Sequence, residues 1–462
     1  MILTAFISNA MSNVRAHSDR CRARRHEVAV GRDEGTAQPR LAPTLIALIA
    51  SVPAVALQGC ATEPVRHPLP ETRAEQAGMP GMPTDVRYWG DDPSAAFRDW
   101  LVSPEDELGV CCAALLDRSH DYLVISSGGV EGAFGAGLLV GWTAAGTRPE
   151  FQVVTGVSAG AMIAPFAFLG SAYDGNLREI YTSFSSKDLV ARRGVLEALE
   201  GDSVMDTAPL RRLIDRYLGD DEIARIAAEG RRGRKLLIGT TNLNAGRPVV
   251  WDLTKIAGSG APNARQLIGD LILASASIPG VFPPVRISVE SEGVRYDELH
   301  VDGGVTAQLF LGPAGIDWKR VTERFRVRGL PQVYVIRNAR AYPQWTAVRA
   351  RVSPLLEHSI SAPNRDPGGP PAWQEVEPRV PSILMRAMES MILTRGFNDA
   401  VQIYVNSHGD ELGFNLARIP DDFTLGSTEF YDRNYMQGLF ERAYAMAKDG
   451  YPWFRGGPTV KE

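Results

Sequence analysis

One stretch constrains this chain more than any other: Gln152-Val153-Val154-Thr155-Gly156-Val157-Ser158-Ala159-Gly160-Ala161. An apolar run that reads as a buried strand ends in G-x-S-x-G, and a second apolar run, AMIAPFAFLG, reads as a helix. A strand that turns this sharply into a helix needs glycine at 156 and 160, because a Cβ would clash. The turn lifts Ser158 out of a sheet with its hydroxyl presented. The string alone is weak, since glycine supplies 45 of the 462 residues. Its flanks give it weight. The competing reading is a glycine turn with a capping serine.

Strand-like and helix-like segments alternate from about residue 121, which implies an α/β sheet with helices on both faces. DYLVISSGG, FQVVTG, RKLLIGTTNL, GRPVVWDL, RYDELHVDGG and PQVYVIRN read as strands. GAGLLVGWTAAG and the segments 209–218, 221–229, 265–277 and 383–405 read as helices. Leu210, Leu213, Ile214 and Tyr217 share one helical face. Residues 354–381 hold seven prolines and read as an irregular excursion. With Trp373, that stretch is a candidate lid, and a plain exposed loop is the competing reading.

Composition excludes several classes. A net charge of −5 lacks the basic excess of a nucleic-acid binder. Four cysteines are too few for a disulfide scaffold, and neither CxxC nor HExxH is present. Neither a metal nor another cofactor is expected, and no calcium-loop pattern exists.

Two further segments can do chemistry. Ser127-Gly128-Gly129-Val130-Glu131-Gly132 follows a strand, and its adjacent glycines let backbone N–H groups converge on an anion. That anion is either a phosphate or the oxyanion of acyl transfer. His300-Val301-Asp302-Gly303-Gly304 ends another strand and places an aspartate at a cleft floor, or simply in a turn.

These three segments, in this order, resemble the patatin-like phospholipase family. Ala274-Ser275-Ala276-Ser277-Ile278-Pro279-Gly280-Val281-Phe282-Pro283-Pro284 and Thr241-Asn242-Leu243-Asn244 with Gly246-Arg247-Pro248 also match that family's pattern. The resemblance covers residues 121 to about 310 and extends weakly through GFNLARIPDDF and GYPWF. It implies a three-layer α/β/α sandwich with a largely parallel central sheet. It also implies a serine lipid acyl hydrolase of phospholipase A, lysophospholipase or carboxylesterase type. Carried over, Ser158 is the nucleophile and Asp302 the general base. Gly128, Gly129, Val130 and Gly132 form the oxyanion hole, helped by Ala159. Gly156 and Gly160 frame the nucleophile elbow. The substrate is then a lipid or ester.

One departure concerns Glu131, which stands where many members carry a basic residue, and this puts strongly anionic phospholipids in doubt. His300 lies two residues before Asp302, on the same strand face, and reads either as a third catalytic member or as a packed strand histidine. Two alternatives stand beside the dyad: an α/β-hydrolase esterase with a Ser-His-Asp triad using His358 or His408, and a catalytically silent patatin-fold lipoprotein.

The N-terminus reads as an address. Arginines (15, 20, 22, 24, 25, 32 and 40) precede an uncharged apolar stretch from Leu41 to Leu57 that contains Pro43 and Pro53. It is short for a spanning helix and suits a secretory signal. Leu57-Gln58-Gly59-Cys60 resembles a bacterial lipobox, which implies cleavage of residues 1–59 and lipidation of Cys60. An uncleaved anchor helix is the alternative, and a start codon set too early would account for the long leader. Ala61 implies outer-membrane sorting in the cell envelope, with the membrane surface as partner. Residues 60–115 then read as tether and N-terminal extension, 121–315 as the catalytic core, and 316–462 as a C-terminal extension packing on it. Oligomeric state is left open.

Overall fold

The computed structural model describes residues 66–92, 102, 105–193, 202–312, 314–340, 376, 378–427, 429 and 431–456. The lipobox with Cys60 lies outside these residues. So do His358, Trp373 and most of the proline-rich stretch.

Among the described residues nine strands form one sheet. In chain order they are β1 (Arg87–Trp89), β2 (Asp121–Ile125), β3 (Val153–Val157), β4 (Lys235–Asn242) and β5 (Arg247–Asp252). Then come β6 (Val285–Ser291), β7 (Val294–Asp302), β8 (Gln332–Arg337) and β9 (Gly413–Arg418). The spatial order is β1-β5-β4-β3-β2-β8-β9, with β7 on β4 and β6 on β7. Pairing is parallel from β4 through β9 and antiparallel at β1, β5, β6 and β7.

The parallel strands are apolar on both sides, as a sheet covered on both faces requires. Along β2, Leu123 and Ile125 face one core, and Tyr122 and Val124 face the other. The first core is closed by α1 (Gly132–Ala144), α2 (Ala159–Leu169), α3 (Ala264–Ser275) and α5 (Arg433–Lys448). The second is closed by Leu309, Trp318, Phe325 and by Ala400 and Ile403 of α4 (Val380–Gly409). The result is a three-layer α/β/α sandwich. Each fully buried leucine, valine or phenylalanine contributes about 1.5–3 kcal/mol relative to exposure.

The structure differs from the sequence reading in three places. The stretch 316–462, read as an extension packing on the core, supplies the expected strand β8 beside β2 and a further strand, β9, beside β8. Residues 87–89, read as part of an extension, are an edge strand on β5. And β6 is a strand absent from the sequence reading, although polar Arg286, Ser288 and Glu290 alternate with buried Ile287 and Val289 as in a half-buried strand. It turns into β7 through Glu292 and Gly293, both at positive φ, the geometry of a tight hairpin. Cys112 is disulfide-bonded, which four cysteines, two of them the neighbours Cys111 and Cys112, do not suggest.

Candidate active site

The register of the sheet brings the two reactive segments together. β3 pairs with the first part of β4, ending at Val157 opposite Gly239. β7 pairs with the rest of the same edge in the opposite direction, with Asp302 opposite Thr240. Two strands therefore meet end to end along one side of β4. Ser158 leaves its strand at the slot that Asp302 fills from the other direction.

The turn at Ser158 is tight. Ser158 itself has φ 55° and ψ −118°, a conformation side chains rarely adopt. A Cβ on Gly156 would strike the carbonyl of Gly160, and one on Gly160 would strike the carbonyl of Ile125. Ser275, the last residue of α3, stabilises this geometry. Its hydroxyl accepts the Ser158 N–H at 2.9 Å and donates to the Gly239 carbonyl at 2.7 Å. Two residues on, the carbonyl of Ser277 accepts the Asp302 N–H at 2.9 Å. One short segment thus holds the backbone of both reactive residues.

Ser158 Oγ donates to Asp302 Oδ2 at 2.6 Å, and the other carboxylate oxygen accepts the Gly304 N–H at 2.7 Å. Both residues are buried. Burial pushes the Asp302 carboxyl up to about 6, against the opposing effect of these two hydrogen bonds. The carboxylate is therefore ionised at neutral pH and more basic than a solvated one.

Gly128 and Gly129 follow β2, Gly129 at φ 56°. A Cβ on Gly128 would lie 2.5 Å from Asn338 Cβ. Buried Asn338 braces this loop: Nδ2 donates to Ser126 O at 2.9 Å, and Oδ1 accepts the Gly135 N–H at 3.0 Å. Among the described residues none accepts a hydrogen bond from the N–H groups of Gly128, Gly129, Val130 or Ala159. Gly132 differs from the expectation. Its N–H turns back to the carbonyls of Gly129 and Val130, closing a 3₁₀ turn, so it is not an open donor. What position 132 supplies is close packing, since a Cβ there would meet Ala159 and Tyr181 within 3 Å. Glu131 accepts from the Tyr435 hydroxyl at 3.5 Å.

The histidines lie elsewhere. Trp251 donates to Thr240 Oγ1 at 2.8 Å, leaving that hydroxyl proton for His300 Nδ1 at 2.9 Å. His300 Nε2 faces Glu298 Oε2 at 3.0 Å, and Arg87 holds Glu298 at 2.5 Å. Burial lowers the His300 pKa, so the ring stays neutral with its proton on Nε2. Its two nitrogens are spent on Thr240 and Glu298. His408 is exposed in the last turn of α4 and stacks on Tyr404. β9 begins just after it, beside the first residues of β8 and β2, so His408 lies at the opposite edge of the sheet from Ser158. Among the described residues no histidine is hydrogen-bonded to Ser158 or Asp302.

Sequence reasoning missed several residues of this site. Ser275 was legible only as part of a matching string. Asn338 had no signal beyond its place after a strand. Tyr431 lies close enough to Asp302 that, after burial, the aspartate's charge is what holds its hydroxyl protonated. It sits in a polar loop with no pattern.

A family model for patatin-like phospholipases matches residues 123–314. No curated protein matches the chain. Among solved structures, VipD from Legionella pneumophila is similar at 11% identity, over 72% of this chain and 67% of that one, with a TM-score of 0.34. The matched family supports lipid acyl hydrolysis in general, and its span takes in both reactive turns, Ser158 and Asp302. Residues 123–314 are thus a patatin-like phospholipase domain.

Proposed function

We propose that the chain hydrolyses lipid or simple carboxyl esters with Ser158 as nucleophile and Asp302 as general base. The observation that carries this reading is the 2.6 Å bond from Ser158 Oγ to Asp302 Oδ2 on a strained, fully braced turn. As Oγ attacks the ester carbonyl, its proton passes to Oδ2. The carbonyl oxygen becomes an anion and meets the unused N–H groups of Gly128, Gly129 and Val130. Collapse expels the alcohol, which takes the proton from Asp302, and leaves an acyl ester on Ser158. Water, deprotonated by the same aspartate, releases the acid and restores the serine. Burial of Asp302 supports the role, because a base near 6 is ionised at neutral pH yet able to accept a proton.

The test is turnover of p-nitrophenyl esters of several chain lengths and of phospholipid vesicles. Wild type should be active, and folded Ser158→Ala and Asp302→Asn should be inactive. A folded but inert wild type would favour the silent-lipoprotein reading. We also propose that Cys60 carries a lipid anchor in the bacterial envelope. Incorporation of labelled palmitate that survives Cys60→Ser would refute it.

A further inference from the structure

β7, the strand that carries Asp302, has a short hold on the main sheet. Three residue pairs join it to β4: Asn242 with His300, Thr241 with Val301 and Thr240 with Asp302. Among the described strands, β6 pairs with β7 alone. A two-stranded ribbon joined by so few pairs is marginal by itself, so the place of Asp302 depends on what else holds the strand. Residues 66–92 hold it. Along the edge of β7 that β4 leaves, the Asp297 N–H donates to the His67 carbonyl at 2.8 Å, and the Leu69 N–H to the Asp297 carbonyl at 3.3 Å. Gly78 exchanges both backbone hydrogen bonds with Glu290 of β6 at 2.9 Å. Three arginines of this strap then take consecutive side chains of β7. Arg73 Nη1 donates to the Tyr296 hydroxyl at 2.7 Å, and Arg66 Nε to Asp297 Oδ1 at 2.9 Å. Arg87 donates to both oxygens of Glu298, at 2.5 and 3.1 Å. Arg66 and Arg73 are partly exposed, and such contacts contribute little. The third is different, because the Arg87 and Glu298 side chains are only 6% and 1% exposed.

Glu298 carries this hold toward the site. Glu298, His300 and Asp302 alternate onto one face of β7. Trp251 Nε1 donates to Thr240, the Thr240 hydroxyl to His300 Nδ1, and His300 Nε2 to Glu298, at 2.8, 2.9 and 3.0 Å. Every donor in the chain points toward the one carboxylate that Arg87 neutralises. At its other end the chain reaches the base. Thr240 is the register partner of Asp302, and the hydroxyl of Thr241 donates to the Asp302 carbonyl at 3.0 Å. The strap end is tied as well: Arg87 Nη2 donates to the Ala77 carbonyl at 3.1 Å, and the guanidinium lies 5.5 Å from the Trp251 ring centroid. Removing Arg87 alone would leave a buried carboxylate uncompensated.

We propose that Arg87 and Glu298 are positioning residues for Asp302: from the strap, through His300 and Thr240, they hold the end of β7 where its carboxylate meets Ser158. Arg87 lies outside residues 123–314, so the matched domain does not contain its own brace. The effect on turnover rests on the acyl-hydrolase reading, and the effect on β7 does not. The full chain is compared with Arg87→Met, Glu298→Met and the double variant. Amide hydrogen exchange is followed over residues 294–304, and kcat and KM are measured on p-nitrophenyl butyrate. Each single variant should speed exchange at 299–303 about tenfold or more relative to the amides of α1. Each should lower kcat about 10- to 100-fold and leave KM within about twofold. The double variant separates position from stability. Replacing both members of a buried ion pair by apolar residues is often neutral for stability, so Tm should return close to wild type. Its kcat should stay low, because His300 still lacks its acceptor. Arg87→Lys should recover part of the kcat lost in Arg87→Met, since it restores charge without the fork.

Exchange at 299–303 that matches wild type in both single variants overturns the proposal. So does faster exchange with unchanged kcat, or a change in KM alone. A double variant in which Tm, exchange and kcat all return together also overturns it, because the pair would then serve stability only. If wild type cleaves no ester, the acyl-hydrolase reading fails while exchange still decides whether the strap holds β7. Should a methionine variant not fold, Thr240→Val cuts the same chain at its link to β4 and carries the same comparison.

Discussion

Two glycine turns leave neighbouring parallel strands at the same edge of the sheet, and they are built on opposite plans. The turn after β3 is saturated: the Ser158 N–H is taken by Ser275, its hydroxyl by Asp302, and its glycines have no room for a Cβ. The turn after β2 is braced from beneath by Asn338 but leaves three consecutive N–H groups without partners among the described residues. Unmade backbone hydrogen bonds are costly in a buried site, so a loop that keeps them is poised for a ligand. The difference teaches that one turn fixes the proposed nucleophile while the other keeps its donors open.

The comparison can be broken most severely at the saturated turn. Ser158→Ala should lower kcat on p-nitrophenyl esters by about 10⁴-fold or more, with the fold retained by circular dichroism. Asp302→Asn keeps the shape and removes the base; a loss of roughly 10³-fold is expected, read in the same assay. Ser275→Ala sharpens the contrast, because it strips an acceptor from a buried N–H without touching substrate. It should cost about 1–3 kcal/mol in denaturant unfolding and lower kcat with little change in KM. Asn338→Ala loosens the open turn instead. It should reduce kcat about tenfold through the oxyanion donors, while the pH profile keeps its shape.

That profile is itself a prediction. On the proposed mechanism Asp302 must be ionised, and burial raises its pKa to about 6. kcat/KM on a neutral ester should therefore climb as pH rises through about 6 and level off above it. A midpoint near the ordinary aspartate value would show that Asp302 is solvated or is not the base.

Much of the saturated turn was legible in the sequence, because steric necessity writes itself as glycine. Gly156 and Gly160 tolerate nothing else, and strand and helix flank them in order. Less of the open turn could be read. Which N–H groups stay free depends on a 3₁₀ turn that consumes the Gly132 donor, and no residue type marks that choice. The braces were out of reach for a different reason. Ser275 and Asn338 act on residues more than a hundred positions away, and polar side chains at such distances leave no periodicity. In the C-terminal stretch β8 was legible as PQVYVIRN, but β9 was not, being separated from it by more than seventy residues although both belong to the main sheet. α5 was missed outright, and its seat is explained by α1. Cβ atoms at Gly137 and Gly141 would collide with the backbone carbonyls of Phe440 and Tyr444, so only glycine lets the two helices approach.

The head-to-head meeting of β3 and β7 along β4 has a consequence for how the chain can change. Ser158 and Asp302 are 144 positions apart, yet their separation in space is measured in steps along a third strand. Inserting or deleting residues in the helical connections between them leaves that measurement untouched. A slip of β7 by a single residue against β4 does the reverse: it turns the aspartate to the other face of the sheet with no atom deleted. Tolerance to length and intolerance to register are thus properties of the same pair of residues.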